Sequence, residues 1–428
     1  MKIVGLITEY NPFHNGHLYH IHESLRITGA DAALVVMSGD YVQRGTPAIM
    51  PKRLRTEMAL YCGAGAVLEL PVCYATGSAE FFALGAISLL DSLGIVDSVC
   101  FGSECSDLPL LQKIAGLLVD EPEQYREILQ HELKLGKSFP AARQTAVVFC
   151  TGDPRCADIL KDPNNILGIE YLKALKKCGS SIRPYTIRRK GAGYHSSQLD
   201  GLYSSASAIR SLLAYSSSSI HTEFAGDDST ELSFSDILNE LGNQVPKKCL
   251  ELLSDFHKIQ YPVYQNDFSL ILKYKLLNKH PESLVRYMDV SPELAARICT
   301  SLNDFFNYKQ FAGLLKTKEL TQTRINRALL HIMLGIKKDS VSEYMNSGYN
   351  FYARLLGFRK DCSQILTEIS KKSSLPLLTK LAESRELCEL GQRMLRDDIL
   401  ASNLYTSVVT DKFKTAFLNE YKQRIIKI

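Results

Sequence analysis

Short apolar runs alternate with helical patterns along the first hundred residues, and this alternation allows only a few architectures. The runs cover residues 3–8, 32–37, 66–70 and 97–101. Stretches with helical periodicity lie between them, at residues 17–28, 53–62 and 79–93. Short, largely apolar runs separated by helices are typical of parallel strands buried on both faces. The sequence therefore predicts an α/β fold with a Rossmann-like, doubly wound parallel sheet.

The same pattern continues to about residue 215. Residues 184–188 are a further predicted strand, and residues 205–213 a helix. Asp162-Pro163-Asn164-Asn165 is a helix-start signal for a helix through Leu172, with Asn side chains available to cap it. We therefore expect one α/β domain over residues 1–215.

The rest of the chain has a different character. Residues 216–236 are rich in Ser, Thr, Asp and Glu and are predicted to be a linker. Residues 237–428 are predicted to be helical almost throughout, with amphipathic patterns at 325–334 and 351–356. A length of 428 residues also favours two or more domains over one.

Composition narrows the class of protein. The apolar fraction is 45% and the charged fraction 22%, as in ordinary globular proteins. No run of about eighteen apolar residues is present and the first residues do not resemble a signal peptide, so we expect a cytoplasmic protein without membrane helices. The 11 cysteines are irregularly spaced, which indicates neither a disulfide framework nor a metal ribbon.

Charge is unevenly distributed along the chain. Residues 301–428 hold 21 Lys and Arg against 13 Asp and Glu, whereas the other 300 residues hold 29 basic and 33 acidic side chains. A basic C-terminal region on a mildly acidic body is typical of a nucleic-acid-binding part. A solvated, lysine-rich helical surface is the alternative.

The turn after the first strand has the features of an anion site. Parallel sheets bind ligands beyond the carboxyl ends of their strands, which is where Asn11-Pro12-Phe13-His14-Asn15-Gly16-His17 lies. Gly16 has no Cβ to keep a phosphate from the backbone, and the helix that follows offers unpaired N–H groups. His14 and His17 can donate to triphosphate oxygens as charge develops on the leaving pyrophosphate. The turn therefore predicts ATP binding.

A metal site is the rival interpretation of the histidines. His14, His17, His20 and His22 are close in sequence, but their spacing does not suit four ligands on one helix and no HExxH carboxylate is present. We predict no protein metal site, and interpret His20 and His22 from spacing alone as surface or packing residues.

A second element resembles a superfamily motif. The His-x-Gly-His turn resembles the nucleotidyltransferase superfamily, whose second motif has the form S-S-T-x-x-R at a helix start. Ser204-Ser205-Ala206-Ser207-Ala208-Ile209-Arg210 is similar to that motif. Ser205 and Arg210 are thus candidates for holding phosphate oxygens.

Several motifs together resemble a narrower family, the bacterial tRNA(Met) cytidine acetate ligases. They are Glu9-Tyr10-Asn11-Pro12-Phe13-His14-Asn15-Gly16-His17, Ser38-Gly39-Asp40-Tyr41-Val42-Gln43-Arg44-Gly45, Leu68-Glu69-Leu70-Pro71, Phe101-Gly102-Ser103-Glu104, Pro163-Asn164-Asn165-Ile166-Leu167-Gly168, Arg188-Arg189 and Tyr194-His195. The resemblance covers residues 1 to about 215 and extends more weakly to Thr323-Arg324-Ile325-Asn326-Arg327 and Leu356-Gly357-Phe358. It implies that acetate is activated with ATP and that the acetyl group is transferred to N4 of the wobble cytidine of elongator tRNA(Met).

The resemblances also imply site residues. The ATP site would comprise Ile7, Thr8, Glu9, Tyr10, Asn11, Pro12, Phe13, His14, Asn15, Gly16, His17, Leu18, Tyr19, His20, Gly102, Asn165, Arg188, Arg189, Ser205 and Arg210. Which residue of the pair Asn164 and Asn165 contacts ATP stays open, as does the choice between Arg188 and Arg189. Mg²⁺ is expected with ATP, although no set of protein ligands for it is evident.

Three further expectations concern catalysis and RNA. His14 and His17 are predicted to be catalytic, and Asp40 is either a third catalytic residue that orients the amine or an ordinary turn residue. Gln43, Arg44, Gly45 and Lys52 are further candidates for the same cleft. Arg324, Arg327, Lys337 and Lys338 are predicted to contact tRNA phosphates.

Two rival functions share some of these features. A small-metabolite adenylyltransferase would have the histidine turn and the Ser/Arg element, but would leave the basic helical half unexplained. A non-catalytic RNA-binding protein on a nucleotide-binding fold would bind tRNA without consuming ATP.

Overall fold

One mixed sheet organises the structure. A computed structural model describes residues 1–190, 205–215, 233–317 and 319–428. Its strands are β1 Ile3–Thr8, β2 Ala32–Ser38, β3 Tyr41–Val42, β4 Thr46–Pro47, β5 Ala64–Leu70, β6 Ser98–Ser103, β7 Arg183–Arg188, β8 Ala353–Phe358, β9 Leu377–Leu378 and β10 Ile426–Lys427. The main sheet has the order β10-β8-β5-β2-β1-β6-β7, with β9 paired to β8, while β3 and β4 form a separate hairpin.

Helices cover both faces of this sheet and form most of the C-terminal half. The α-helices are α1 Asn15–Thr28, α2 Lys52–Tyr61, α3 Val72–Ala75, α4 Ala79–Ser92, α5 Leu108–Asp120, α6 Glu123–Lys134, α7 Phe139–Thr151, α8 Arg155–Ile159, α9 Pro163–Lys177, α10 Ala206–Tyr215, α11 Phe234–Leu241, α12 Lys247–Phe256, α13 Ser269–Leu277, α14 Pro281–Leu284, α15 Pro292–Thr300, α16 Tyr308–Leu314, α17 Gln322–Leu334, α18 Lys338–Asn346, α19 Gln364–Lys372 and α20 Glu389–Phe413. Short 3₁₀ helices cover Gln265–Phe268, Leu302–Asp304, Lys360–Cys362, Leu381–Glu386 and Glu420–Lys422. Among the described residues, no helix combines the length and apolarity needed to cross a membrane.

The predicted parallel, doubly wound sheet is confirmed. Strands β5, β2, β1, β6 and β7 are all parallel neighbours, and the chain moves outward from β1 to β2 and β5 before it returns to β6 and β7. The strand order therefore reverses between β1 and β6. The loops that follow these two strands diverge there and leave a crevice, which is the usual ligand site in such sheets.

The C-terminal half completes the sheet, which the sequence did not predict. Strand β8 pairs antiparallel with β5, and β9 and β10 pair in parallel with β8. The helix expected at residues 351–356 is therefore wrong, because residues 353–358 are β8 and all six are buried. A short apolar run does not distinguish a buried strand from a buried helix, so tertiary pairing decides. The helix expected at residues 325–334 is confirmed as part of α17.

The predicted linker at residues 216–236 lies outside the described residues, except for its last four. Ser233 is the N-cap of α11, and its hydroxyl accepts a hydrogen bond from the backbone N–H of Asp236. Strands from both sides of the linker join one sheet, so the two halves share a hydrophobic core.

Four buried charged residues join the halves. The Lys52 ammonium lies 2.7 Å from Glu69 Oε1 and 3.0 Å from Glu420 Oε1. Arg354 lies 3.0 Å from Glu69 Oε2 and also pairs with Glu420. Burial alone would raise the pKa of Glu420, but Lys52 and Arg354 lower it to about 2. These residues come from α2, β5, β8 and the last 3₁₀ helix, so they link all these elements.

Removal of one partner from this cluster should destabilise the fold strongly. We expect Lys52→Met to lower the free energy of unfolding by about 3–5 kcal/mol, because two buried carboxylates lose one of their two cations. The half-exposed pair of Lys248 and Glu251 provides the control, and Lys248→Met should leave the free energy of unfolding nearly unchanged. Urea denaturation measures both. Equal losses in the two variants would contradict the importance of the buried cluster.

Candidate nucleotide-binding site

A cavity of about 270 Å³ opens where the strand order reverses. It lies beyond the carboxyl ends of β1, β6 and β7 and reaches the β3–β4 hairpin and the start of α10. Its lining residues are Ile7, Thr8, Glu9, Tyr10, Asn11, His14, Gly16, His17, Tyr19, His20, Val42, Gln43, Arg44, Thr46, Phe82, Phe101, Gly102, Asn164, Leu167, Tyr171, Ile187, Arg189, Lys190, Ser205, Ala206, Ser207 and Arg210.

Two histidines cap the helix at the floor of this cavity. His14 is the N-cap of α1, and its Nδ1 accepts a hydrogen bond from the backbone N–H of Gly16 at 3.0 Å. The Nδ1 of His17 accepts from the backbone N–H of His14 at 3.3 Å, so the two side chains form a reciprocal capping box. A Cβ on Gly16 would lie 2.8 Å from Cε1 of His14, so position 16 has no room for a side chain.

Both imidazoles are held in the neutral form. Burial, followed by the positive charges of Arg189 and Arg210, lowers the pKa of His14 to about 3. Burial and the neighbouring His14 ring likewise hold the pKa of His17 well below its usual value, the ring centroids being 3.7 Å apart. A neutral imidazole carries one N–H, and Nδ1 accepts in both rings, so the hydrogen bonds assign the proton to Nε2. Each ring is thus a neutral Nε2–H donor.

Positive charge surrounds these donors. Arg210 donates to the carbonyl oxygen of Asn11 at 2.6 Å and to the Ser207 hydroxyl at 3.0 Å, which fixes its guanidinium at the cavity wall. Arg189 lies 3.4 Å from Asn164 Oδ1, and Lys190 lies 4.3 Å from the centroid of the Tyr19 ring. With Arg44, which also lines it, the cavity therefore combines four cations, two neutral donors and the N-terminus of α1, which suits a polyphosphate.

Comparison with known proteins agrees with this geometry. The profile of the family described as HIGH Nucleotidyl Transferase matches residues 1–420. A protein of Caldanaerobacter subterraneus subsp. tengcongensis named tRNA(Met) cytidine acetate ligase is 43% identical over 407 residues, which are 95% of each chain. A protein of Acetivibrio thermocellus with the same name is 40% identical over 429 residues and covers 100% of both chains. The chain belongs to the tRNA(Met) cytidine acetate ligase family.

Solved structures support this membership. The apo structure of Thermotoga maritima TmcAL superimposes with a TM-score of 0.89 at 31% identity, covering 100% of both chains. A second structure of Thermotoga maritima TmcAL, bound with alpha-thio ATP, gives a TM-score of 0.87 at 31% identity and the same coverage.

Most residues that the family resemblance assigned to ATP line the cavity, but several lie behind it. Phe13 is fully buried in the core, and Leu18 packs against the same core. The Asn15 amide donates to the carbonyl oxygen of Asn243 at 2.8 Å. Pro12 and Arg188 are also absent from the lining, and Arg188 is exposed at the end of β7. Of the alternatives Asn164 and Asn165, Asn164 lines the cavity. Of Arg188 and Arg189, Arg189 does.

Asn165 supports the loop after β6 instead of lining the cavity. Its Oδ1 accepts the backbone N–H groups of Glu104 and Cys105, at 2.9 and 3.2 Å. Asn164 donates to Glu104 Oε1 at 2.6 Å. The expected asparagine cap of the helix is therefore wrong, because α9 begins at Pro163 and its N-cap, Asp162, makes no side-chain capping bond.

Asp40 and Lys52 lie away from the cavity. An Asp40 oxygen accepts the backbone N–H of Lys52 at 2.7 Å, and the Lys52 ammonium belongs to the buried charged cluster. Burial raises the pKa of Asp40 despite the nearby Lys52 charge. The geometry favours the interpretation of Asp40 as a turn residue. Gln43 and Arg44 do line the cavity, whereas Gly45 packs against the backbone of α17.

The four candidate RNA contacts divide into two pairs. Arg327 is paired with Asp289 at 2.8 Å, and the Lys338 ammonium donates to the carbonyl oxygen of Val290 at 2.7 Å. Both side chains therefore have internal partners. Arg324 and Lys337 are exposed.

Arg55 organises the site and was missed by sequence reasoning. Its buried guanidinium donates to the carbonyl oxygens of Glu9 at 2.6 Å, Ser38 at 3.1 Å and Met50 at 3.1 Å, and also to that of Gly39. It thereby holds the chain after β1 against the chain after β2. An arginine within the otherwise apolar face of a predicted helix was the available signal.

The cavity does not offer a ligand set for a protein-bound metal. The described residues contain no group of three or more His, Cys, Asp and Glu side chains arranged to hold an ion. Glu9 is the carboxylate in the lining, and its Oε1 already accepts the backbone N–H of Gln43 at 2.8 Å.

The depressed histidine pKa values predict acid sensitivity. An unfolded histidine titrates near 6.5, whereas folded His14 and His20 titrate at about 3 and about 4. Between these values the unfolded chain binds more protons, so the free energy of unfolding falls as the pH drops below about 6.5.

Urea denaturation at pH 7 and pH 5 tests this expectation. His14→Asn keeps a capping oxygen but does not titrate. The loss of stability on acidification should be smaller in this variant than in the wild type by about 1–2 kcal/mol. An identical loss in both proteins would show that His14 is not held neutral.

Proposed function

We propose that the protein is an ATP-dependent tRNA(Met) cytidine acetate ligase. It activates acetate as acetyl-adenylate and transfers the acetyl group to N4 of the wobble cytidine of elongator tRNA(Met). The observation that carries the proposal is the pair of neutral, Nε2-protonated histidines, His14 and His17, opposite Arg189 and Arg210 in a cavity at the strand-order reversal. Family membership and the names of the relatives support this choice of substrates.

The first step is attack of an acetate oxygen on the α-phosphorus of ATP. The bond from phosphorus to the bridging oxygen breaks, and pyrophosphate leaves with the electron pair. The Nε2–H groups of His14 and His17 stabilise the charge that develops, and they cost little reorganisation because capping bonds already fix both rings. Arg189, Lys190 and Arg210 bind the phosphates, and catalysis depends mainly on positioning and charge.

The second step transfers the acetyl group to RNA. The N4 amine of cytidine attacks the acetyl carbon, and the bond from that carbon to the AMP oxygen breaks. AMP leaves with the electron pair, and the proton lost by N4 passes to solvent. We propose His14 and His17 as the catalytic residues and give Asp40 a structural role, because its carboxylate faces Lys52. Acetate, ATP and the tRNA are then the partners, and Mg²⁺ supplies charge neutralisation as part of the ATP complex.

Residues 1–215 would supply the ATP site in this proposal, and residues 237–428 would supply most of the tRNA surface. The basic excess of the C-terminal region supports this division, with Arg324 and Lys337 as exposed candidates for phosphate contacts. Both substrates, ATP and tRNA, are cytoplasmic, and we propose that the protein works there.

An acetylation assay tests the function. We expect labelled acetate, ATP and unmodified tRNA(Met) to give N4-acetylcytidine together with AMP and pyrophosphate, and acetyl-CoA without ATP to give none. Nucleotide transfer to a coenzyme precursor without RNA acetylation would instead identify a small-metabolite adenylyltransferase. Binding of tRNA without ATP consumption would identify a non-catalytic RNA-binding protein.

Two variants of His14 separate catalysis from capping. His14→Asn keeps the capping acceptor and loses the Nε2–H donor, so kcat should fall by about 10²-fold or more while stability at pH 7 stays near that of the wild type. His14→Ala should lose the same activity and, in addition, about 1 kcal/mol of stability. Affinity for tRNA should be unchanged in both variants. Full activity in His14→Asn would contradict the donor role.

A further inference from the structure

One face of α13 presents large apolar side chains to solvent. Leu270 is 80% exposed, Tyr274 67% and Leu277 60%, whereas the opposite face of the helix packs into the core. The three residues are spaced four and three positions apart, so they form one row along the helix. Together with Phe306, which is 83% exposed, we call them the apolar stripe.

Two contacts fix Phe306 beside α13. The backbone N–H of Tyr308 donates to the Ser269 hydroxyl at 3.0 Å. The Lys273 ammonium lies 3.3 Å from the carbonyl oxygen of Phe305 and 5.6 Å from the centroid of its ring. Lys273 belongs to the same helical face as the exposed row. An exposed ring and a lysine therefore border the row of apolar side chains.

The surroundings of the stripe are positively charged. Residues 268–281 and 305–317, which contain α13 and α16, hold five lysines and no Asp or Glu, and the acidic residues at their ends are Asp267, Glu282 and Asp304. Asp267, which precedes them, is paired with Lys412 at 2.7 Å. Aromatic side chains interleaved with lysines are the arrangement that binds single-stranded nucleic acid, because bases stack on the rings and the ammonium groups contact phosphates.

The stripe is connected to the rim of the nucleotide cavity. Phe268, immediately before α13, packs against Tyr41 in β3, with ring centroids 5.8 Å apart. The β3–β4 hairpin continues from Tyr41 to Gln43, Arg44 and Thr46, which line the cavity. This buried contact places the start of α13 next to the hairpin that carries part of the cavity rim.

We infer that the apolar stripe is a stacking surface for unpaired nucleotides of a tRNA loop. The neighbouring lysines, including Lys273 and Lys309, contact the phosphates of the same loop. This inference rests on the proposed function, since it takes the tRNA substrate as the occupant. It adds a base-stacking contact to the purely electrostatic contacts expected from the basic C-terminal region.

Binding of unmodified tRNA(Met) to the full-length protein tests the inference. At fixed salt concentration, Tyr274→Ala and Phe306→Ala should each raise Kd about ten-fold, because each removes a ring on which a base stacks. Tyr274→Phe keeps the ring and should bind as the wild type does. Tyr274→Leu keeps an apolar side chain without the ring and should bind as weakly as Tyr274→Ala.

Two exposed aromatic residues outside the stripe serve as controls. Phe149 is 60% exposed and Tyr421 57% exposed, so Phe149→Ala and Tyr421→Ala should leave Kd unchanged. Acetate-dependent exchange of pyrophosphate into ATP should also be unchanged in the stripe variants, because α13 contributes no residue to the cavity lining.

Three results would overturn the inference. The first is an unchanged Kd in both alanine variants, and the second is a wild-type protein that does not bind tRNA. The third is a loss of self-association in sedimentation experiments at unchanged Kd, which would identify a protein interface. A wild type that binds tRNA through the stripe but forms no N4-acetylcytidine would contradict the proposed function alone.

Discussion

A charge buried in a protein must be paired, and two buried cations in the first turn of α2 determine much of this structure. Lys52 pairs with Glu69 and Glu420, and so joins the parallel sheet to the C-terminal end of the chain. Arg55, three residues later, donates to backbone carbonyl oxygens instead and holds the chain after β1 against the chain after β2. The same helix therefore fixes the assembly of the two halves and the shape of the nucleotide cavity.

The histidine turn depends on that support. Its two imidazoles cap α1 by accepting hydrogen bonds at Nδ1, so Nε2 carries the proton and is the donor in each ring. Stacking at 3.7 Å would be unfavourable for two imidazolium ions, so burial and proximity keep the rings neutral. The local fold thus supplies hydrogen-bond donors whose protonation does not change near neutral pH, while the arginines supply the positive charge.

The sequence predicts those elements that are encoded by contiguous residues. The parallel strands were predictable because buried runs such as residues 32–37 are apolar along their whole length, and the turn at His14 was predictable because its residues are contiguous. Arg55 was not predictable because its partners are backbone carbonyl groups, which every residue has. The choice between Arg188 and Arg189 depends on which face of a strand each side chain takes, and a one-residue shift reverses it. Strand β8 was missed because its partners, β5 and β10, are distant in sequence.

The pairing of β5 with β8 has a consequence for synthesis of the chain. Lys52 and Ser402, which are in contact, are 350 positions apart, so β5 is made long before the elements that cover it. Until β8 emerges, β5 is an open sheet edge and Glu69 lacks its partner Arg354, and open edges are prone to pair with other chains. The nascent N-terminal half is thus an aggregation-prone intermediate, and its nucleotide cavity gains full support only when the C-terminal half has folded onto it.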